Sequence, residues 1–167
     1  MDLSEVPSTT EIFIDANILV YHFAGPTQLT SACSAFLRRV ENRDLIGFTS
    51  LTVLAEVLHR LMLIEATEKL KIEARRAVQY LKQHPTAVSL LTGHLSVPEK
   101  VHAIGVHILT PTLDDLLASQ EFKMTLGYLT NDAINLAVMK RHHLTHIATN
   151  DADFTRAESL RIWHPIP

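Results

Sequence analysis

Short apolar runs alternate with longer segments of helical period along this chain. Glu11-Ile12-Phe13-Ile14 is a short strand after a polar leader, and it stops at Asp15. Ile18 to Phe23 continues as a short helix before the breaker Gly25-Pro26. Ser31 to Val40 reads as a helix with Cys33, Phe36, Leu37 and Val40 inward and Arg38, Arg39 and Arg43 on a solvated face. Leu45 to Thr49 is the next strand, and it leads into Leu51 to Ile64, a helix apolar around most of its circumference and therefore largely buried. Thr67 to Gln83 is an amphipathic helix closed by Pro85.

From Thr86 to Val106 the pattern weakens to one short helix after Ser96-Val97-Pro98-Glu99, and His84, His94, His102 and His107 lack ligand spacing. His107 to Thr110 is another strand. Thr112 then reads as an N-cap with Asp115 three residues on, close to a capping box, which makes Asp114 and Asp115 first-turn acids rather than site residues. Asn131 to Met139 is a helix with Ala133, Ile134, Ala137 and Val138 on an apolar side and Asp132 and Asn135 on another. His146 to Thr149 is a buried strand that runs into the acidic loop Asn150-Asp151-Ala152-Asp153, and Arg161-Ile162-Trp163 closes the chain. This alternation predicts an α/β fold, a central parallel sheet flanked by helices.

The length of 167 residues fits a single domain, able to bury roughly 70% of its unfolded surface without a metal or disulfide. One cysteine, Cys33, excludes an intramolecular disulfide and a zinc ribbon, so a reducing cytoplasm is the expected compartment. The N-terminus carries no basic region followed by an apolar run, and no run reaches membrane-spanning length, so no membrane partner is expected. A net charge of −3 gives no bulk attraction to nucleic acid, and contact with RNA or DNA would need local basic patches or cations held by acids.

The acids are where candidate chemistry lies. Asp15 and Asp151 follow strands, and ligands of open α/β sheets bind outside the carboxyl ends of the strands. A lone Asp after a strand is ordinarily a helix cap. Glu56, however, shares a narrow polar stripe with Thr52 and His59 on an otherwise apolar helix, and a carboxylate there must face water, a partner or a metal. Glu56-x-x-His59 matches one ligand pair of a di-iron bundle, but that architecture needs two such pairs on four long helices.

Ile12-Phe13-Ile14-Asp15-Ala16-Asn17, Ala55-Glu56-Val57, Thr130-Asn131-Asp132-Ala133 and Ala148-Thr149-Asn150-Asp151-Ala152-Asp153-Phe154 together resemble the PIN-domain nucleases, and the Leu109-Thr110-Pro111 stretch is similar to the VapC toxins within them. The resemblance implies a PIN-like α/β/α fold with its core over about residues 11–163. It implies a catalytic site of Asp15, Glu56, Asp132 and Asp151, supported by Asn17, Thr149 and Asp153. Asp15, Asp132 and Asp151 would ligate Mg²⁺ or Mn²⁺, and Glu56 would hold a water or a second metal. The implied reaction is hydrolysis of RNA by a toxin, with an antitoxin partner and a homodimer.

Physical chemistry agrees with that set. Converging carboxylates repel by about 4 kcal/mol per close pair at an effective dielectric near 20, so they take up protons or gather cations. All-oxygen ligands suit Mg²⁺ or Mn²⁺. A haloacid dehalogenase-type phosphotransferase would want a second Asp where Asn17 stands, and no G-x-G-x-x-G run exists for a dinucleotide. The remaining alternatives are a noncatalytic PIN-like module that binds RNA or protein and an RNA-processing nuclease without a toxin role. The apolar segments Leu51 to Ile64 and Thr67 to Gln83 are expected to offer some surface to another chain.

Overall fold

The computed structural model describes residues 1–25 and 27–167, so Pro26 of the Gly25-Pro26 breaker lies outside the described residues. Five parallel strands form one sheet in the order β3-β2-β1-β4-β5. They are β1 (Glu11–Ile14), β2 (Ile46–Ser50), β3 (His107–Leu109), β4 (His146–Ala148) and β5 (Arg161–Trp163). Central β1 pairs Phe13 with Phe48 of β2 on one side and Ile14 with Ala148 of β4 on the other. Ile12, Phe13 and Ile14 are all buried, the unbroken apolar run of a parallel strand covered on both faces.

The chain winds from β1 outward to β2 and β3, then returns to lay β4 and β5 on the opposite side. The direction therefore reverses between β1 and β4. A crevice at such a switch point, beyond the carboxyl ends of its two strands, is where α/β sheets bind ligands. Asp15 and Thr149 are the residues that follow those two strands.

Helices α1 (Ala16–Phe23) and α2 (Thr30–Glu41) connect β1 to β2, and α2 buries the expected Cys33, Phe36, Leu37 and Val40. Next come α3 (Leu51–Leu70), α4 (Ala74–Gln83), α5 (Pro85–Val88) and α6 (Val97–Ala103), and then α7 (Leu113–Leu126) and α8 (Thr130–Arg141) before β4. Thr112 and Asp115 complete a reciprocal capping box on α7. Asp115 has a further job: its buried carboxylate takes hydrogen bonds from Arg141 Nε and Nη2, both at 2.9 Å, which pins the end of α8 to the start of α7.

Several boundaries differ from the pattern reading. The break expected near residue 65 falls instead at Lys71, which ends α3 in the left-handed conformation at φ 55°. No Pro or Gly interrupts residues 65–70, and Ala66, Leu81, Ala87 and Leu91 form a small apolar cluster that holds the extension of α3 against α4 and α5. Glu65 on that extension accepts the backbone N–H groups of Thr92 and Gly93, anchoring the segment whose pattern is weakest. Arg39 is not on a solvated face: it bonds Asp44 at 2.6 Å and the carbonyls of Ser4 and Val6, fastening the N-terminal segment. Most apolar residues of α3 are buried or half-buried, whereas Leu113, Leu117 and Met124 form an exposed stripe on α7. Among the described residues no helix is long and apolar enough to cross a membrane.

Candidate active site

Asp15 caps a helix and joins a buried hydrogen-bond net at once. Its Oδ1 accepts the Ala16 N–H at 2.7 Å, capping α1, while Oδ2 accepts the Thr149 hydroxyl at 2.6 Å and the Asn17 side-chain amide. Thr149 Oγ1 in turn accepts from Asn17 Nδ2 and from the Asp151 N–H, both at 3.0 Å. Asn17 Oδ1 accepts the Asn150 N–H at 2.8 Å. Asn17 and Thr149 are thus the two sides of a buried net that ties the end of β1 to the end of β4 and sets Asp15 beside Asp151.

Asp151 opens a 3₁₀ turn, Ala152–Arg156, by accepting the Asp153 N–H at 2.8 Å. Asp153 itself turns aside to Arg156, Oδ2 to Nη2 at 2.7 Å. Glu56 sits on the second turn of α3, partly exposed, with Arg60 one turn on at 3.5 Å. Asp132 lies in the first turn of α8 and has no hydrogen-bond donor or cation on its carboxylate among the described residues. Pattern reading did not single out Ser50. Its Oγ caps α3 by accepting the Val53 N–H at 3.1 Å and donates to Asn135 Oδ1 at 2.7 Å, so the helices carrying Glu56 and Asp132 are joined through a buried bond. Asn135 lies three residues after Asp132 on the same stripe, and that was the signal: the stripe faces a partner, not solvent.

The acids feel one another. Burial first, then the charges of Glu56 and Asp151, push Asp15 up to about 6 against the pull of its hydrogen bonds from Thr149 and Ala16. Asp132 is also pushed up to about 6, by burial and then by Asp15, Asp151, Glu56 and Asp153 in that order. Both carboxylates therefore hold their protons to higher pH than a free aspartate, and their ionisation carries a cost that a cation relieves. No group of three such side chains among the described residues stands at metal-holding distance. The side chains of Asp15, Asp132, Asp151 and Glu56 nonetheless offer only oxygen donors, the type that a hard divalent cation prefers. A groove of about 640 Å³ lies elsewhere, between α7, α8 and residues 156–160. Asp15, Glu56, Asp132 and Asp151 do not line that groove.

The sequence pattern of the PIN domain matches residues 12–160. The chain belongs to the PIN domain family. This PIN domain is 28% identical over 152 residues to the ribonuclease VapC2 of Methanocaldococcus jannaschii, covering 91% of this chain and 92% of the relative. Among solved structures it is similar to VapC20 of Mycobacterium tuberculosis, a toxin described as cleaving the sarcin-ricin loop, with TM-score 0.57, 18% identity and coverage of 87% and 94% of the two chains. It is equally similar to VapBC2 of Rickettsia felis, solved with a promoter DNA fragment, with TM-score 0.57, 14% identity and coverage of 93% and 98%. At those identities the structural likeness establishes the fold, in agreement with the α/β/α layering of the sheet and its helices.

Proposed function

We propose that this PIN domain is a divalent-cation-dependent ribonuclease acting as the toxin of a toxin-antitoxin pair. The observation that carries the reading is the shared field of Asp15, Glu56, Asp132 and Asp151 at the switch point of the sheet, with Asp15 and Asp132 both pushed up to about 6. The relative named as a ribonuclease and the VapC structures support the same class.

Bound at these oxygens, Mg²⁺ or Mn²⁺ would supply Lewis-acid stabilisation of the phosphodiester and its leaving oxygen, and would lower the pKa of a water. The side chains do the rest. Thr149 and Asn17 fix the orientation of Asp15, so that its carboxylate does not have to reorganise as charge develops. Asp151 is held by its own turn, and Asp132 presents a carboxylate without a competing donor. Glu56, partly exposed beside Arg60, would orient a water. The polyanionic substrate approaches a surface whose negative charge the cations offset.

An antitoxin side chain of positive charge would satisfy the same unpaired Asp132 and displace the metal, coupling binding to inhibition. The exposed stripe Leu113, Leu117 and Met124 on α7 is the apolar surface that a second copy would cover in a homodimer. Light scattering at tens of micromolar tests that assembly, and a monomer rules it out. Induced expression tests the toxin role: wild type arrests growth and Asp132→Asn does not. Unimpaired growth with soluble, active enzyme would instead favour RNA processing.

A further inference from the structure

Arg156 links the turn after β4 to the end of α7 and the connection that follows it. Its Nη2 meets Asp153 Oδ2 at 2.7 Å and its Nε donates to the Asp153 carbonyl at 3.1 Å, both within the turn that Asp151 opens. Its Nη1 donates to the carbonyls of Leu126 and Gly127, at 3.1 and 3.0 Å, in the connection between α7 and α8. The guanidinium also lies 4.8 Å over the Tyr128 ring, and Tyr128 packs against Phe154 with ring centroids 5.7 Å apart. Gly127, at φ 68°, makes room for this approach: a Cβ there would stand 3.3 Å from Nη1. Asp132 follows five residues after Gly127, and α8 has no side-chain cap of its own, since Leu129 occupies that position. The entry of α8 is therefore held by contacts from outside the helix.

We propose that Arg156 is a positioning residue that fixes the spacing of Asp132 against Asp151 by clasping the turn after β4 to the connection before α8. The inference rests on the acidic site acting as a metal-dependent nuclease. Arginine suits the task because its planar fork donates in several fixed directions at once, and lysine offers a point charge without the fork. The Tyr128 ring, buried beneath the guanidinium, keeps the clasp from swinging into solvent. Arg156 touches neither Asp132 nor Asp151 directly, so its effect on the metal passes through backbone placement.

The experiment compares the full-length wild type with Arg156→Gln, Arg156→Lys and Asp132→Asn. Melting temperature, Mn²⁺ affinity by calorimetry, and kcat and KM for RNA cleavage are measured for each. Partners behind metal ligands typically change affinity or activity by about 10–100-fold, and Arg156→Gln is expected to lose Mn²⁺ affinity and kcat in that range. KM stays within about threefold, because the lost interaction is not with the substrate. Arg156→Lys, the milder variant if Arg156→Gln fails to fold, remains weakened in Mn²⁺ binding. Full recovery by lysine would make charge alone responsible and overturn the clasp. A change confined to KM would make Arg156 an RNA contact, and unchanged affinity and kcat would make it irrelevant to the site; either result overturns the proposal while the nuclease stands. A wild type that neither binds Mn²⁺ nor cleaves RNA, like Asp132→Asn, overturns the acidic-site reading itself and the clasp with it.

Discussion

Asp132→Asn removes one charge from the acidic set and leaves the side-chain shape, so its effect on stability isolates electrostatics. Asp132 rises from 3.8 to about 6 in the folded chain. At about 1.4 kcal/mol per pKa unit, a rise of that size sets an upper bound near 3 kcal/mol on the cost of keeping the carboxylate ionised. Asp132 is only half-buried and solvent screens its neighbours, which brings the working figure down to about 1 kcal/mol. The folded value lies above the unfolded one. Below about pH 4 both states are protonated and nothing is lost; between about pH 4 and 6 only the folded state holds the proton, so stability falls as pH rises; above that the penalty is full and constant. Asparagine carries no such penalty. For a chain of this size 1 kcal/mol corresponds to about 2–4 °C, so the variant melts that much higher than wild type at pH 7.5 and level with it near pH 4. Mn²⁺ should raise the wild-type melting temperature and leave the variant's nearly unchanged. Differential scanning calorimetry across that pH range decides it. A lower melting temperature for the variant at pH 7.5, or an equal gain at both ends, would refute the electrostatic reasoning.

Asp15→Asn should behave differently, because three donors converge on the Asp15 oxygens and an amide would set its own NH₂ against one of them; its melting temperature at pH 7.5 falls below that of Asp132→Asn. Thr149→Val deletes the hydroxyl shared by Asp15, Asn17 and the Asp151 N–H, and is expected to cost about 1–3 kcal/mol in urea unfolding together with a loss of cleavage. Ser50→Ala uncaps α3 and leaves Asn135 Oδ1 without its donor, lowering stability by about 1–2 kcal/mol with little change in RNA affinity. Calorimetric titration should show Mn²⁺ binding to wild type, weaker binding to Asp151→Asn, and no functional rescue by Zn²⁺, since the donors are hard oxygens; equal binding by the two proteins would remove Asp151 from the site.

What could be read from the sequence followed local physics. The bounds of β1, the Thr112-Asp115 capping box and the inner face of α2 depend on neighbours within a few residues, and they stand where the pattern puts them, while β2, β3 and β4 differ from it by a residue. Asp15 was legible as the residue after an apolar run and Thr149 as the last residue of another, yet their shared hydrogen bond links positions 134 apart and has no local trace. The same holds for Ser50 with Asn135, for Asp115 with Arg141 and for Arg156 with the α7–α8 connection. Each pairs a polar side chain with a group far along the chain, and each reads locally as a surface residue, an ordinary cap or a helix-face polar. The overrun of α3 to Leu70 has a similar origin, because packing on Leu81 and Leu91, not a local stop signal, decides where that helix ends.

The central claim is that these clustered acids cut RNA by holding a divalent cation. The most direct measurement follows cleavage of a defined RNA by the purified chain in Mn²⁺, in EDTA, and with Asp132→Asn shown to be folded by its melting transition. Cleavage by wild type in Mn²⁺ alone, abolished by EDTA and absent from the folded variant, is the predicted result. Cleavage that persists in EDTA, or that the folded Asp132→Asn protein performs as fast as wild type, would contradict the account.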